Sequence, residues 1–245
     1  MGTHVEKSGD TRRTLVVVTS QDRMGDGGAA TGYWLGEVTH FCAELDAAGL
    51  SYDLASPRGG RPPLDEKSRA PGDATNRAFL ADPVAKGKLE RTRRLAEVDG
   101  RAYAAIYLAG GHGTMWDFPE DAELARLVAE VDAAGGIVSA VCHGATGLLA
   151  ARGQDGQPLV AGRRVTGFSN VEETLVGLRR RVPFLLEDAL RERGAGFSRA
   201  LLPFVSHVVE DGRWVTGQNP ASAREVGRRV AARLAGASVE KGVAA

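Results

Sequence analysis

The sequence predicts a doubly wound α/β fold, a mostly parallel sheet with helices on both faces. Short strand-like runs at residues 15–19, 50–55, 103–109 and 137–141, the first of them β-branched, alternate with amphipathic helical stretches, in the β-α-β-α-β order of such sheets. The 245 residues show no internal repeat and no dividing linker, and that length suits one large α/β domain. Residues 14–236 therefore read as a single domain, with 1–13 as a disordered tail and 237–245 as a second tail.

Residues 15–19 are short and apolar enough for a buried parallel strand. A Gly-rich stretch at 24–31 precedes a helix over 32–48, where Trp34, Leu35, Val38, Phe41, Cys42 and Leu45 share one side and Gly49 supplies the stop. Residues 50–55 alternate Leu50, Tyr52 and Leu54 and end before Pro57. The Pro-, Gly- and charge-rich stretch 57–73 is too long for a turn, and a weak helical region follows over 75–98. The strand at 103–109 breaks at Gly110-Gly111-His112-Gly113. Pro119 reads as the first residue of a helix whose buried stripe is Leu124, Leu127, Val128 and Val131. The strand at 137–141 ends at Cys142, and 143–151 reads as helix. Two short strands are expected at 158–161 and 163–166, and helices at 171–178 and 183–193. Residues 200–202 and 205–210 are strand-like, and Asp211-Gly212 signals a hairpin into 213–216. The last helix, capped by Asn219 with Pro220 in its first turn, is expected to reach about residue 234.

Composition narrows the function. Lys and Arg number 31 against 31 Asp and Glu, and this balance opposes a nucleic-acid or anionic-membrane partner. No apolar run approaches the roughly 18 residues of a spanning helix. The N-terminal residues are charged without the apolar core of a secretory signal, and Glu6 stands where a myristoylation signal wants Ser or Thr. The expected location is the cytoplasm. Two cysteines and five scattered histidines offer no paired metal-ligand spacing, so no metal is expected.

The sharpest chemical pattern is Val138-Ser139-Ala140-Val141-Cys142-His143-Gly144-Ala145. A buried strand delivers a reactive residue between small neighbours, the pattern of a nucleophile elbow with cysteine in place of serine. The following helix start and the adjacent His143 both favour thiolate, so Cys142 is expected to be an accessible thiol of low pKa. His143 reads as base, as imidazolium partner, or as an exposed neighbour. Cys42, inside an apolar stripe, reads as core. Glycines after the central strand let backbone N–H groups hold an oxyanion, or else make a plain turn; neither GK[ST] nor G-x-G-x-x-G follows. Glu37 lies about 40° outside the stripe of the first helix, either half buried and suited to proton transfer or solvated on a flank. Glu172-Glu173 reads as an exposed helix start or as an acid near the strand tips. Trp34, Trp116 and Trp214 read as packing.

The ordered segments Gly110–Pro119, Ala140–Gly144 and Thr166–Thr174, with support from 34–40, 62–65 and 216–223, resemble the ThiJ/PfpI superfamily, and within it the branch of heat-shock chaperone-like glyoxalase III proteins. The resemblance spans residues 15–234. It implies a flavodoxin-like sandwich, a homodimer, and a Cys–His–Glu site needing no cofactor. By this resemblance the nucleophile falls on Cys142, the histidine on His143 and the orienting acid on Glu173, with Glu172 as the neighbouring alternative. The first-helix acid falls on Glu37, where it shares a proton with the nucleophile, and the oxyanion donors are the N–H groups of Gly111 and His143. Residues 57–98 become a cap excursion. Ala145 and Phe41 stand where members often have proline, and Phe41 is expected to reshape the pocket wall.

The implied activity is that of a lyase of glyoxalase III type, turning methylglyoxal into lactate without glutathione through a hemithioacetal and an enediol. Alternatives on the same scaffold are an oxidation-sensing holding chaperone using Cys142, or another small-molecule hydratase or lyase. A class I glutamine amidotransferase is excluded by spacing, because the downstream His207 is followed by Val208-Val209-Glu210 rather than forming His-x-Glu.

Overall fold

The computed structural model describes residues 12–241, with side chains through 236. The expected N-terminal tail lies outside the described residues except at Arg12 and Arg13, as does the stretch 242–245. In chain order come β1 (Thr14–Val17), α1 (Leu35–Ala47), β2 (Tyr52–Ser56), α2 (Ala74–Ala81), α3 (Pro83–Glu90), β3 (Arg93–Arg94) and β4 (Ala105–Leu108). Then follow α4 (Thr114–Asp117), α5 (Ala122–Ala133), β5 (Ile137–Val141), β6 (Arg164–Val165), α6 (Asn170–Leu175) and α7 (Leu186–Glu192). The chain finishes with β7 (Gly196–Phe197), β8 (Val208–Asp211), β9 (Trp214–Gly217) and α8 (Ala223–Lys241).

Seven strands form one sheet in the order β3-β2-β1-β4-β5-β9-β8. All neighbours are parallel except β8, which runs antiparallel to β9 with Asp211 opposite Trp214. Thr14 pairs with both Tyr52 and Ala105, so β1 lies between strands reached in opposite directions. Right-handed crossovers then set α1 and α5 on opposite faces of the sheet. The fold is the flavodoxin-like α/β class that the sequence predicts. Its winding reverses between β1 and β4, and a crevice opens at such a point beyond the carboxyl ends of the strands. Leu15, Val16, Val17, Ile106, Tyr107, Leu108, Val138 and Val141 are all fully buried, as strands covered on both faces must be. Among the described residues no helix is long and apolar enough to cross a membrane.

Several local expectations are corrected by contacts from distant parts of the chain. The first helix begins at Leu35, not at residue 32. Tyr33 N–H donates to Pro63 O and Trp34 N–H to Gly110 O, which keeps this approach extended. The helix start is capped from afar, Leu35 N–H donating to Ser68 Oγ at 2.9 Å. The weak helical region at 75–98 is two short helices and a strand, because Asp73 and Asp82 each accept from backbone N–H groups and start a new helix. This 57–98 excursion docks on α1, with His40 Nε2 2.7 Å from Asp73 Oδ2.

Pro119 lies in the turn after α4, and Asp121 caps α5 by accepting from Leu124 N–H. The expected helix at 143–151 is a 3₁₀ segment, Cys142–Leu148. There the Thr114 and Thr146 hydroxyls both bond His143 O, the carbonyl an α-helix would use internally. No strand forms at 158–161 or 200–202: Pro158 makes only an isolated bridge to Arg152, 159–161 form a turn and 201–202 a bend. The pairing of β6 with β7 in a separate two-stranded parallel sheet was not legible. Asn219 does not cap the last helix; a 3₁₀ turn precedes α8, which continues to Lys241 instead of stopping near residue 234. Phe41 does not line a pocket wall. Its ring is fully buried and stacked on Tyr107, with centroids 3.6 Å apart.

The α1–α8 packing offers a direct test. A Cβ on Gly227 would lie 3.0 Å from Phe41 Cα and O, atoms of a helix backbone that cannot give way locally. Gly227→Val should therefore destabilise by about 1–3 kcal/mol, lowering the urea midpoint while leaving the slope of the transition unchanged.

Candidate active site

Cys142 follows β5 directly and has φ 56°, a left-handed conformation rarely taken by a residue with a Cβ. The turn is tight because the next segment runs against β4: a Cβ on Gly144 would lie 2.2 Å from Leu108 O. The opposing loop is equally constrained. Gly111 has φ 111°, and a Cβ there would come within 2.2 Å of Gly32 O. The Thr114 hydroxyl donates to Gly111 O and shares His143 O, clamping the β4 loop to the elbow.

Glu37 is completely buried, in contrast to the half-buried position expected at the edge of its stripe. The helical wheel describes only packing against the sheet, whereas the first turn of α1 is also roofed by the loop after β4. Gly110 N–H donates to Glu37 Oε2 at 2.6 Å, while Oε1 has no hydrogen-bond partner among the described residues. Burial raises the carboxyl to about 8, against the opposing effects of the Gly110 N–H and the Cys142 thiol. The group is therefore mostly protonated at neutral pH.

Cys142 is buried, only 4 % exposed. Burial first, and then the charge of Glu37, push it well above the ordinary thiol value, although the His143 backbone N–H acts in the other direction. The expected accessible thiol of low pKa is thus corrected. The elbow and N–H donor are present, but desolvation and a neighbouring carboxyl outweigh them.

His143 Nδ1 lies 3.4 Å from Cys142 Sγ, and its Nε2 lies 2.7 Å from Glu173 Oε2. Burial, followed by the adjacent His112, pushes His143 down to about 4, so the ring is neutral at physiological pH. Burial works to raise the Glu173 carboxyl, but hydrogen bonds from His112 and His143 prevail and hold it at about 2. An ionised carboxylate accepts from Nε2–H, which leaves the lone pair on Nδ1 toward the thiol.

Glu172 and Glu173 separate by role. Glu172 Oε2 accepts from Ser169 N–H and Oγ–H in a capping box, and Oε1 accepts from Phe204 N–H and Asn219 Nδ2–H. Its oxygens hold loops together, while those of Glu173 face imidazoles. The sequence reading missed one side chain, His112, whose Nε2 lies 3.0 Å from Glu173 Oε1. A histidine inside a glycine turn at a strand's carboxyl end was the available signal. The side-chain ligand atoms of His112, His143 and Glu173 all lie within 4.8 Å of one another. These are metal-binding types, yet in this arrangement each imidazole Nε2 is engaged by the carboxylate.

Comparison with known proteins places the chain: residues 29–233 match the model of the DJ-1/PfpI family. The chain belongs to the DJ-1/PfpI family. Within that family it is similar to the glutathione-independent glyoxalase HSP31 of Saccharomyces cerevisiae, 32% identical over 231 residues, covering 89% of this chain and 96% of the yeast protein. Among solved structures, glyoxalase III of Candida albicans superposes with TM-score 0.83 at 26% identity, over 91% of this chain and 97% of the other. The Rapid Encystment Protein 24 KDa of Francisella tularensis superposes with TM-score 0.87 at 40% identity, over 91% and 99%.

Glu37 carries two expected outcomes. Its folded-state value near 8 exceeds the ordinary 4.5, so its contribution to stability is full below about pH 4.5 and is lost as pH rises toward 8. Urea denaturation across that window should show wild type losing stability relative to Glu37→Gln; parallel curves would contradict the buried, protonated carboxyl. Removing this charge should also lower the Cys142 thiol pKa. Iodoacetamide labelling of Cys142 should then set in at lower pH in the variant.

Proposed function

We propose that this chain is a cofactor-free cysteine enzyme that converts 2-oxoaldehydes to 2-hydroxy acids without glutathione, methylglyoxal giving lactate. The observation that carries the reading is the neutral His143 between thiol and ionised Glu173, with the protonated Glu37 carboxyl beside the same thiol. A nucleophile, a base and a separate acid are what the isomerisation requires. The names of the yeast and Candida relatives support the substrate class.

In this mechanism His143 Nδ1 takes the Cys142 proton as Sγ bonds the aldehyde carbon. The N–H groups of Gly111 and His143 hold the resulting oxyanion, which receives the proton from His143 and becomes the hemithioacetal hydroxyl. His143 next removes the hydrogen on that carbon as a proton, while Glu37 protonates the neighbouring ketone oxygen, giving an enediol. Return of the His143 proton to the second carbon, and of the hydroxyl proton to Glu37, produces a thioester. Water then cleaves it, releasing the hydroxy acid and regenerating the thiol. No metal or organic cofactor enters these steps.

The same reading makes the protein a cytoplasmic homodimer acting on a small carbonyl compound, with no nucleic-acid or membrane partner. The purified protein should be incubated with a panel of 2-oxoaldehydes in the absence of glutathione and assayed for 2-hydroxy acids. Lactate from methylglyoxal is expected, with none from Cys142→Ala. Glu37→Gln keeps the shape but cannot exchange the proton, and should lower turnover by about 10²-fold or more. Absence of hydroxy acid from every 2-oxoaldehyde would overturn the proposal.

A further inference from the structure

We infer that His112 is a positioning residue, which locks Glu173 in the orientation that keeps His143 in its proton-accepting tautomer. This inference rests on reading Cys142, His143 and Glu173 as the catalytic set. A carboxylate held by one donor can turn about its bond and exchange its oxygens. Here each oxygen has its own imidazole: Oε1 faces His112 Nε2 at 3.0 Å and Oε2 faces His143 Nε2 at 2.7 Å. The three side chains come from three places, the loop after β4, the elbow after β5, and α6. Their mutual contact fixes all three at once.

The two imidazoles also pack together, with ring centroids 4.0 Å apart and planes tilted by 42°. Phe168 packs beside the pair, its ring centroid 4.4 Å from that of His143 and 6.1 Å from that of His112. With the carboxylate held at both oxygens, the His143 Nε2–H has a fixed acceptor and Nδ1 stays an acceptor toward Sγ. The other titratable groups around this cluster are Cys142 from the elbow, Glu37 from α1 and Glu172 from α6.

Loss of His112 should make Glu173 easier to protonate and relieve the electrostatic effect of one imidazole on the other. Both changes raise the pH below which His143 is no longer the neutral acceptor of the Cys142 proton, and so move the acid limb of His143-assisted alkylation and of turnover to higher pH. The test is the pH dependence of iodoacetamide alkylation, followed on the Cys142 peptide, beside kcat and KM for methylglyoxal. Wild type, His112→Phe and His112→Gln are compared, since glutamine offers an N–H donor at similar reach.

His112→Phe should lower kcat about 10-fold, the scale on which outer partners of functional histidines act, with KM nearly unchanged. Its acid limb should move up in both alkylation and turnover, and His112→Gln should restore most of the wild-type behaviour. If His112→Phe does not fold, His112→Asn, too short to reach Glu173, takes its place. An unchanged acid limb, or a glutamine variant as impaired as phenylalanine, would overturn the inference. Alkylation needs no substrate, so a shifted limb in a protein inactive on every 2-oxoaldehyde would sustain the role of His112 while removing the glyoxalase reading.

Discussion

At Cys142 the chain leaves β5 through a left-handed backbone conformation, and such residues cost of order 1–3 kcal/mol when they carry a side chain. The surroundings supply the compensation. Gly144 lets the turn press against β4, Thr114 and Thr146 take the His143 carbonyl, and Gly110 and Gly111 let the neighbouring loop close over α1. The direction of the thiol and the location of the His143 ring follow from this one turn, and the Thr114 hydroxyl ties to it the β4 loop that roofs Glu37. The sheet supports it from below: Leu108 pairs with Ala140, so the two loops start at adjacent levels.

Burial alone would neutralise every ionisable group in this crevice. It succeeds at Glu37, whose carboxyl receives one N–H and is raised to about 8. It succeeds at His143, which stays uncharged with a value near 4. At Glu173 it fails, because two imidazoles donate to the same carboxylate and hold it near 2. The two carboxyls therefore differ in protonation chiefly through the hydrogen bonds they accept, one from a backbone N–H at Glu37 and two from imidazoles at Glu173. This division lets one site hold a proton donor and a proton acceptor together at neutral pH.

The excursion at 57–98 works on the same crevice from outside. It supplies Ser68 to the start of α1 and Pro63 to the extended approach at Tyr33. These bonds determine where α1 begins, and so the height at which Glu37 enters the site. The Glu172 network does the corresponding work on the other side, joining α6 to the loop at Phe204 and to Asn219.

The sequence alone determined the layer order, since runs such as 103–109 and 137–141 are too apolar for anything but strands covered on both faces. It also located Cys142 and His143, because an elbow is a local device written in adjacent small residues. Local pattern did not determine the state of those groups. The burial of Glu37, the neutral thiol and the distinction of Glu173 from Glu172 depend on atoms more than 25 residues away in the chain. His112 was hidden for the same reason: a histidine in a glycine turn gains its meaning only when α6 brings Glu173 beneath it. Periodicity records which face of an element packs, and hydrogen bonds across elements decide which proton each buried group keeps.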